Sequence, residues 1–129
     1  MLVFADDGGD RTKQGVATAV IETHLRAGTG VISTQVLQQF VNTALRRLPL
    51  PVDLIRARLA LYRRFEVVPS SADLVTSALR VHVLHRVSFW DALIVRAARQ
   101  SGCVQLLTED MNGGAVEAGV RLVNPFASP

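Results

Sequence analysis

The chain has 129 residues, 49% of them hydrophobic and 19% charged, with a formal net charge of +3. That length supports one small domain over residues 1–129, burying roughly two-thirds of its unfolded surface, and the composition excludes a disordered chain. No apolar run approaches the ~20 residues of a membrane span, and the first residues lack the basic start and apolar core of a signal peptide.

A lone cysteine, Cys103, excludes a disulfide framework and a zinc-type cluster, which suits the cytoplasm. Nearly all the basic residues are arginine, and Arg46, Arg47, Arg56, Arg58, Arg63 and Arg64 crowd one third of the chain. Arginine forks suit phosphate, so a nucleic-acid partner is permitted; the plainer reading is solvated helix faces and salt-bridge partners.

In chain order, Leu2-Val-Phe-Ala5 is a short apolar run before the turn-rich Asp6-Asp-Gly-Gly-Asp10. Apolar residues at Val16, Ala17, Val20, Ile21 and Leu25 predict a helix over residues 12 to about 26, stopped by Ala27-Gly28-Thr29-Gly30. Val31-Ile32 is a minimal strand, and Ser33 or Thr34 caps a second helix whose inner face carries Val36, Leu37, Phe40, Val41, Ala44, Leu45 and Leu48. Pro49 and Pro51 break it, and Pro51 is placed to open, near its first position, a third helix from about Val52 to Arg64.

Phe65-Glu-Val-Val68 is a strand candidate closed by Pro69. Ser70 or Ser71 caps a fourth helix over residues 72 to about 84, with Leu74, Val75, Ala78, Leu79 and Val81 or His82 turned inward. A fifth helix begins after Ser88 and runs to Gly102, a natural residue for a helix end. Strands follow over residues 104–107 and 120–123. Short apolar strands alternating with helices predict an α/β domain with parallel pairing, in which ligands bind beyond the carboxyl ends of the strands.

Two carboxylates stand at element ends. Asp91 lies in the first turn of the fifth helix, and Asp110 follows a strand. Ser88-x-x-Asp91 is also a capping-box variant, which alone accounts for the acid, and Thr108-Glu109-Asp110 is also a polar turn before Asn112-Gly113-Gly114. Acids so placed have the geometry to hold Mg²⁺ or Mn²⁺, hard cations that take carboxylate oxygens. Other chemistries are poorly supported. His24, His82 and His85 lack ligand-like pairing, Cys103 reads as a small core residue, and Phe89 and Trp90 read as packing at a helix start.

Four motifs in order carry a resemblance: Val31-Ile-Ser-Thr-Gln-Val-Leu-Gln-Gln-Phe40, Ser88-Phe-Trp-Asp-Ala-Leu-Ile-Val95, Leu106-Leu-Thr-Glu-Asp-Met111 and Gly119-Val-Arg-Leu-Val-Asn-Pro-Phe126. Together they resemble the PIN domain, in its VapC-type toxin branch, over essentially the whole chain. The resemblance implies a three-layer α/β/α domain with a central parallel sheet. It also implies a ribonuclease dependent on Mg²⁺ or Mn²⁺, with RNA as substrate, an antitoxin protein as partner and homodimerisation, and no membrane.

Of the family's four acids, Asp91 matches the third and Asp110 the fourth, as catalytic and metal-binding residues. Gln39 stands where the family has glutamate. Leu2-Val-Phe-Ala5 matches only the tail of the opening motif, so the first strand and its aspartate are expected to be missing and the coding frame is expected to continue upstream of Met1. Arg96 is a candidate phosphate contact. Weak divalent binding and low or no nuclease activity are expected. The alternative is a catalytically impaired or inactive PIN remnant that serves only as a nucleic-acid- or antitoxin-binding module.

Overall fold

The helical periods in the sequence are realised in α1 (Arg11–Ala27), α2 (Thr34–Arg46), α3 (Val52–Tyr62), α4 (Ala72–His85) and α5 (Phe89–Gln100), with strands β1 (Val31–Ser33), β2 (Glu66–Val68), β3 (Gln105–Leu107), β4 (Val116–Glu117) and β5 (Val120–Val123). The computed structural model describes Asp6, Gly9 and residues 11–108, 116–117 and 119–126. The opening run Leu2–Ala5, and with it the expectation of a missing first strand, lies outside the described residues. The chain divides into two compact units, Met1–Val67 and Val68–Pro129.

In the first unit, α1 turns Ala17 and Ile21 inward. It ends where Gly28 takes a left-handed conformation (φ 68°) and the Thr29 N–H reaches back to the His24 carbonyl at 3.1 Å, a Schellman-type closure that satisfies an orphan carbonyl. Ser33 closes β1 and caps α2, its Oγ accepting the Val36 N–H at 3.3 Å. Pro51 is the residue before α3, in line with the expected start at Val52: its ψ of 143° is extended, and its carbonyl accepts the Ile55 N–H.

The core of this unit gathers Ile21, Phe40, Ala44, Ile55, Tyr62 and Phe65, with the Phe40 and Tyr62 rings edge to face at 5.1 Å. One expectation for α2 changes. Leu45, expected inside, is exposed at the rim of an open apolar groove of about 410 Å³ formed with Leu37, Val41 and Leu59. Gln35, a polar residue in the first turn of α2, is buried.

One contact in this unit joins residues far apart in sequence. The Asp6 carboxylate is only 7% exposed and receives the Arg58 guanidinium, Nε at 3.1 Å from both oxygens and a second nitrogen at 3.1 Å from Oδ1. A charge so enclosed is tolerable because the fork neutralises it with directed hydrogen bonds.

In the second unit α4 lies against α5 through Leu74, Ala78 and Val81, spaced i, i+4, i+7. The facing α5 is rich in small buried residues, Ala92, Ala97 and Ala98, which let neighbours approach closely, with Leu93 and Val95 filling the remainder. It packs in turn against β3 and β5. β5 alternates as a half-buried strand should, with Val120 and Leu122 buried and Arg121 exposed. β3 and β5 pair in parallel, Leu106 opposite Leu122, as the alternating pattern predicts.

β4 was not expected, and it pairs antiparallel with β5 through a turn at Gly119 (φ 85°). Among the described residues the strands form two sheets, β1-β2 and β3-β5-β4. With only two to four residues each, these strands contribute few ladder bonds, and the helices supply most of the apolar burial.

Candidate functional site

The segment between α4 and α5 presents Asp91. Arg86 adopts the left-handed conformation (φ 56°) that ends α4, and His82 Nδ1 donates to the Val87 carbonyl at 2.6 Å, fixing the turn. Ser88 is then extended and caps α5, its Oγ accepting the Asp91 N–H at 3.1 Å while its carbonyl accepts the Ala92 N–H at 2.8 Å. The serine half of the predicted capping box is therefore formed. The Asp91 carboxylate is half-buried and has no hydrogen-bond or ion-pair partner among the described residues. With no such partner, its oxygens are open to a ligand at the N-terminal end of α5.

Beside it, Trp90 departs from the expectation of packing: its side chain is 64% exposed, with the Phe89 ring edge-on at 6.0 Å. A helix start offers few neighbours to cover an indole, so position alone could not bury it. Trp90 and Asp91 are neighbours in sequence with side chains about 100° apart around the helix, and an exposed aromatic is suited to stacking on a nucleobase.

The other sequence-predicted residues are placed as follows. Asp110 lies outside the described residues, three positions beyond the end of β3, as do Gly113 and Gly114. Gln39 is exposed on α2 in the first unit. Arg96 is half-buried on α5, five residues after Asp91 and therefore about 140° around the helix from it, so the two do not stack on one face.

Among the described residues, which leave out Asp110, no group of three His, Cys, Asp or Glu side chains could hold a metal ion. Of the sequence-predicted ligands that fall among the described residues, Asp91 is a carboxylate and Gln39 a neutral amide, so this part of the set offers a hard dication one anionic donor. The histidines and the cysteine keep the plain roles expected of them: His24 Nδ1 pairs with Thr29 Oγ1 at 2.8 Å, and Cys103 is partly buried with its Sγ 3.5 Å from Ser101 Oγ. The Asp6–Arg58 pair was not foreseen, because nothing in local sequence links residues 52 positions apart.

A family model for the PIN domain matches residues 4–113, most of the chain. The chain belongs to the PIN domain family. PIN domains are generally nucleases, bind nucleic acid and typically depend on a divalent metal. Gln39, Asp91, Arg96 and Asp110 all fall within the matched span. No curated protein matched the chain. Among the described residues no helix of this PIN domain is long and apolar enough to cross a membrane.

Proposed function

We propose that this chain is a single PIN domain of the VapC-type toxin branch that engages RNA in the cytoplasm with attenuated cleavage. The observation that carries the reading is the first turn of α5, where an open carboxylate, Asp91, stands beside an exposed indole, Trp90. Asp91 and Asp110 are its proposed catalytic and metal-binding acids, with Mg²⁺ or Mn²⁺ as cofactor, and Arg96 is a proposed phosphate contact.

Gln39 is the proposed cause of attenuation. Its amide has the size of a glutamate side chain without the charge, and a hard dication bound by fewer anions is held more weakly. In keeping with the branch, an antitoxin protein and a second copy of the chain are proposed as partners.

Calorimetric titration with Mn²⁺, together with RNA binding and cleavage assays, tests this. Wild type should bind Mn²⁺ weakly, and Gln39→Glu should raise both affinity and cleavage by about tenfold or more, since one added anionic interaction of ~1.4 kcal/mol is tenfold in an equilibrium. Asp91→Asn should abolish the gain, and Trp90→Ala should weaken RNA binding by about 1–3 kcal/mol without changing Mn²⁺ affinity. Vigorous cleavage by the wild-type chain, lost in Asp91→Asn, would contradict attenuation. RNA binding indifferent to chelator in every variant would favour the module that binds without cleaving.

A further inference from the structure

The positive charge of the chain is gathered in one place. Residues 34–65, which carry α2 and α3, hold six of the fourteen basic residues and one of the eleven acids, Asp53, a formal +5; the remaining eight basic and ten acidic residues sum to −2. Arg58 is committed to the enclosed Asp6. The other five, Arg46, Arg47, Arg56, Arg63 and Arg64, are exposed and form no ion pair among the described residues.

The helix period places them. α3 buries Ile55 and Tyr62, seven residues apart, and exposes Val52, Arg56, Ala60 and Arg63 along a second face. Arg56 and Arg63 stand about 10 Å apart along the axis with the short Ala60 between them, so both guanidinium forks can reach one ligand lying along the helix. Arg64 follows in the turn after α3, and Arg46 and Arg47 end α2 just before the connection to α3. A helix dipole favours a cation at its C-terminus, which accounts for Arg46, Arg47, Arg63 and Arg64 singly. It accounts neither for Arg56, in the second turn of α3, nor for a run of 32 residues with one acid.

A ligand for this surface must repeat its negative charge, and the surrounding side chains favour a nucleic-acid backbone. Arginine meets phosphate oxygens in pairs through its planar fork. On α2 the exposed amides Gln38 and Asn42 fall in line with Arg46, at i, i+4 and i+8, and offer uncharged donors to phosphate and sugar oxygens. The rings of these helices, Phe40 and Tyr62, are both 1% exposed, so no aromatic of α2 or α3 can stack on a base. We infer that the arginine face of α2 and α3 is a second RNA-contacting surface, which grips the phosphate backbone without regard to sequence. It rests on the reading that this chain engages RNA, and it differs from the first turn of α5 in reading no base.

Titration of the full chain with labelled single-stranded RNAs of two unrelated sequences, over a range of salt, tests the surface. Wild type should bind both. Arg56→Gln, Arg63→Gln and Arg64→Gln together should weaken both about tenfold or more at low salt. They should also flatten the plot of log affinity against log salt by about 2, since each phosphate neutralised on a single strand contributes about 0.7. All three sites are exposed, so the circular dichroism should match wild type. Arg80→Gln, exposed on α4, should leave the slope unchanged, and Trp90→Ala should weaken binding with the slope intact. A triple variant that keeps the wild-type affinity and slope, or a loss confined to one sequence, overturns the surface and leaves RNA engagement through α5 standing. A wild type that binds neither RNA overturns that reading of function and the surface with it. Polyglutamate held as tightly as RNA, and released in the triple variant, assigns the face to an acidic protein and overturns the RNA surface.

Discussion

Tyr62 is 1% exposed, and its phenol is pushed up from 10.0 to about 12, first by burial and then by the neighbouring Asp6 carboxylate, with the Arg58 guanidinium opposing. The folded state therefore holds the phenolic proton more tightly than the unfolded chain does. Below pH 10 both states keep that proton and the group makes stability no function of pH. As pH rises from about 10 through about 12, the unfolded chain ionises first and stability falls, by roughly 2–3 kcal/mol in all. Urea unfolding across that range should show the loss, and Tyr62→Phe should remove it. Tyr62 is the only tyrosine in the chain, so its ultraviolet titration reads this one group.

At this scale the sequence was informative where chemistry is local and uninformative where it depends on neighbours. The Ser88 cap on the Asp91 amide follows from residue order and appears as expected. The exposure of Trp90, the burial of Gln35 and the Asp6–Arg58 pair depend on which surfaces meet, which no spacing along the chain encodes.

Among elements, the helices were legible because their apolar period, serine caps and terminal glycines agree with one another. Ser33, Ser71 and Ser88 each cap a helix, and Gly28 and Gly102 each take the left-handed end position. β4 was not legible, since two residues make no pattern. Val75, Leu79 and Leu45 fit the helical period of their elements yet face solvent, because an apolar stripe wider than its neighbour leaves part of itself uncovered.

Two glycines separate packing from propensity. A side chain on Gly30, just before β1, would overlap the Phe65 ring and press on His24, while Gly15 in α1 has open space around it. Gly30→Ala should lower stability by about 1–3 kcal/mol through overpacking. Gly15→Ala should raise it by about 0.5–1 kcal/mol by removing unfolded-state freedom. Thermal or urea denaturation of the two variants measures both signs.

For the molecule as a whole, the cluster of arginines that drew notice in the sequence resolves into two kinds. Arg46, Arg47, Arg56, Arg63 and Arg64 are exposed and form no ion pair among the described residues, whereas Arg58 is committed to Asp6. Their difference bears on how the chain would respond to salt. An RNA strand held by arginine sheds condensed counterions, and the logarithm of its affinity falls with the logarithm of salt concentration by about 0.7 for each phosphate neutralised on a single strand. Replacing an exposed member that touches RNA should flatten that line by about 0.7. Replacing Arg58 should leave the slope alone and instead unfold the protein more readily, because the enclosed Asp6 would lose its counter-charge. The ion pair thus withholds one cation from the polyelectrolyte account and assigns it to the interior.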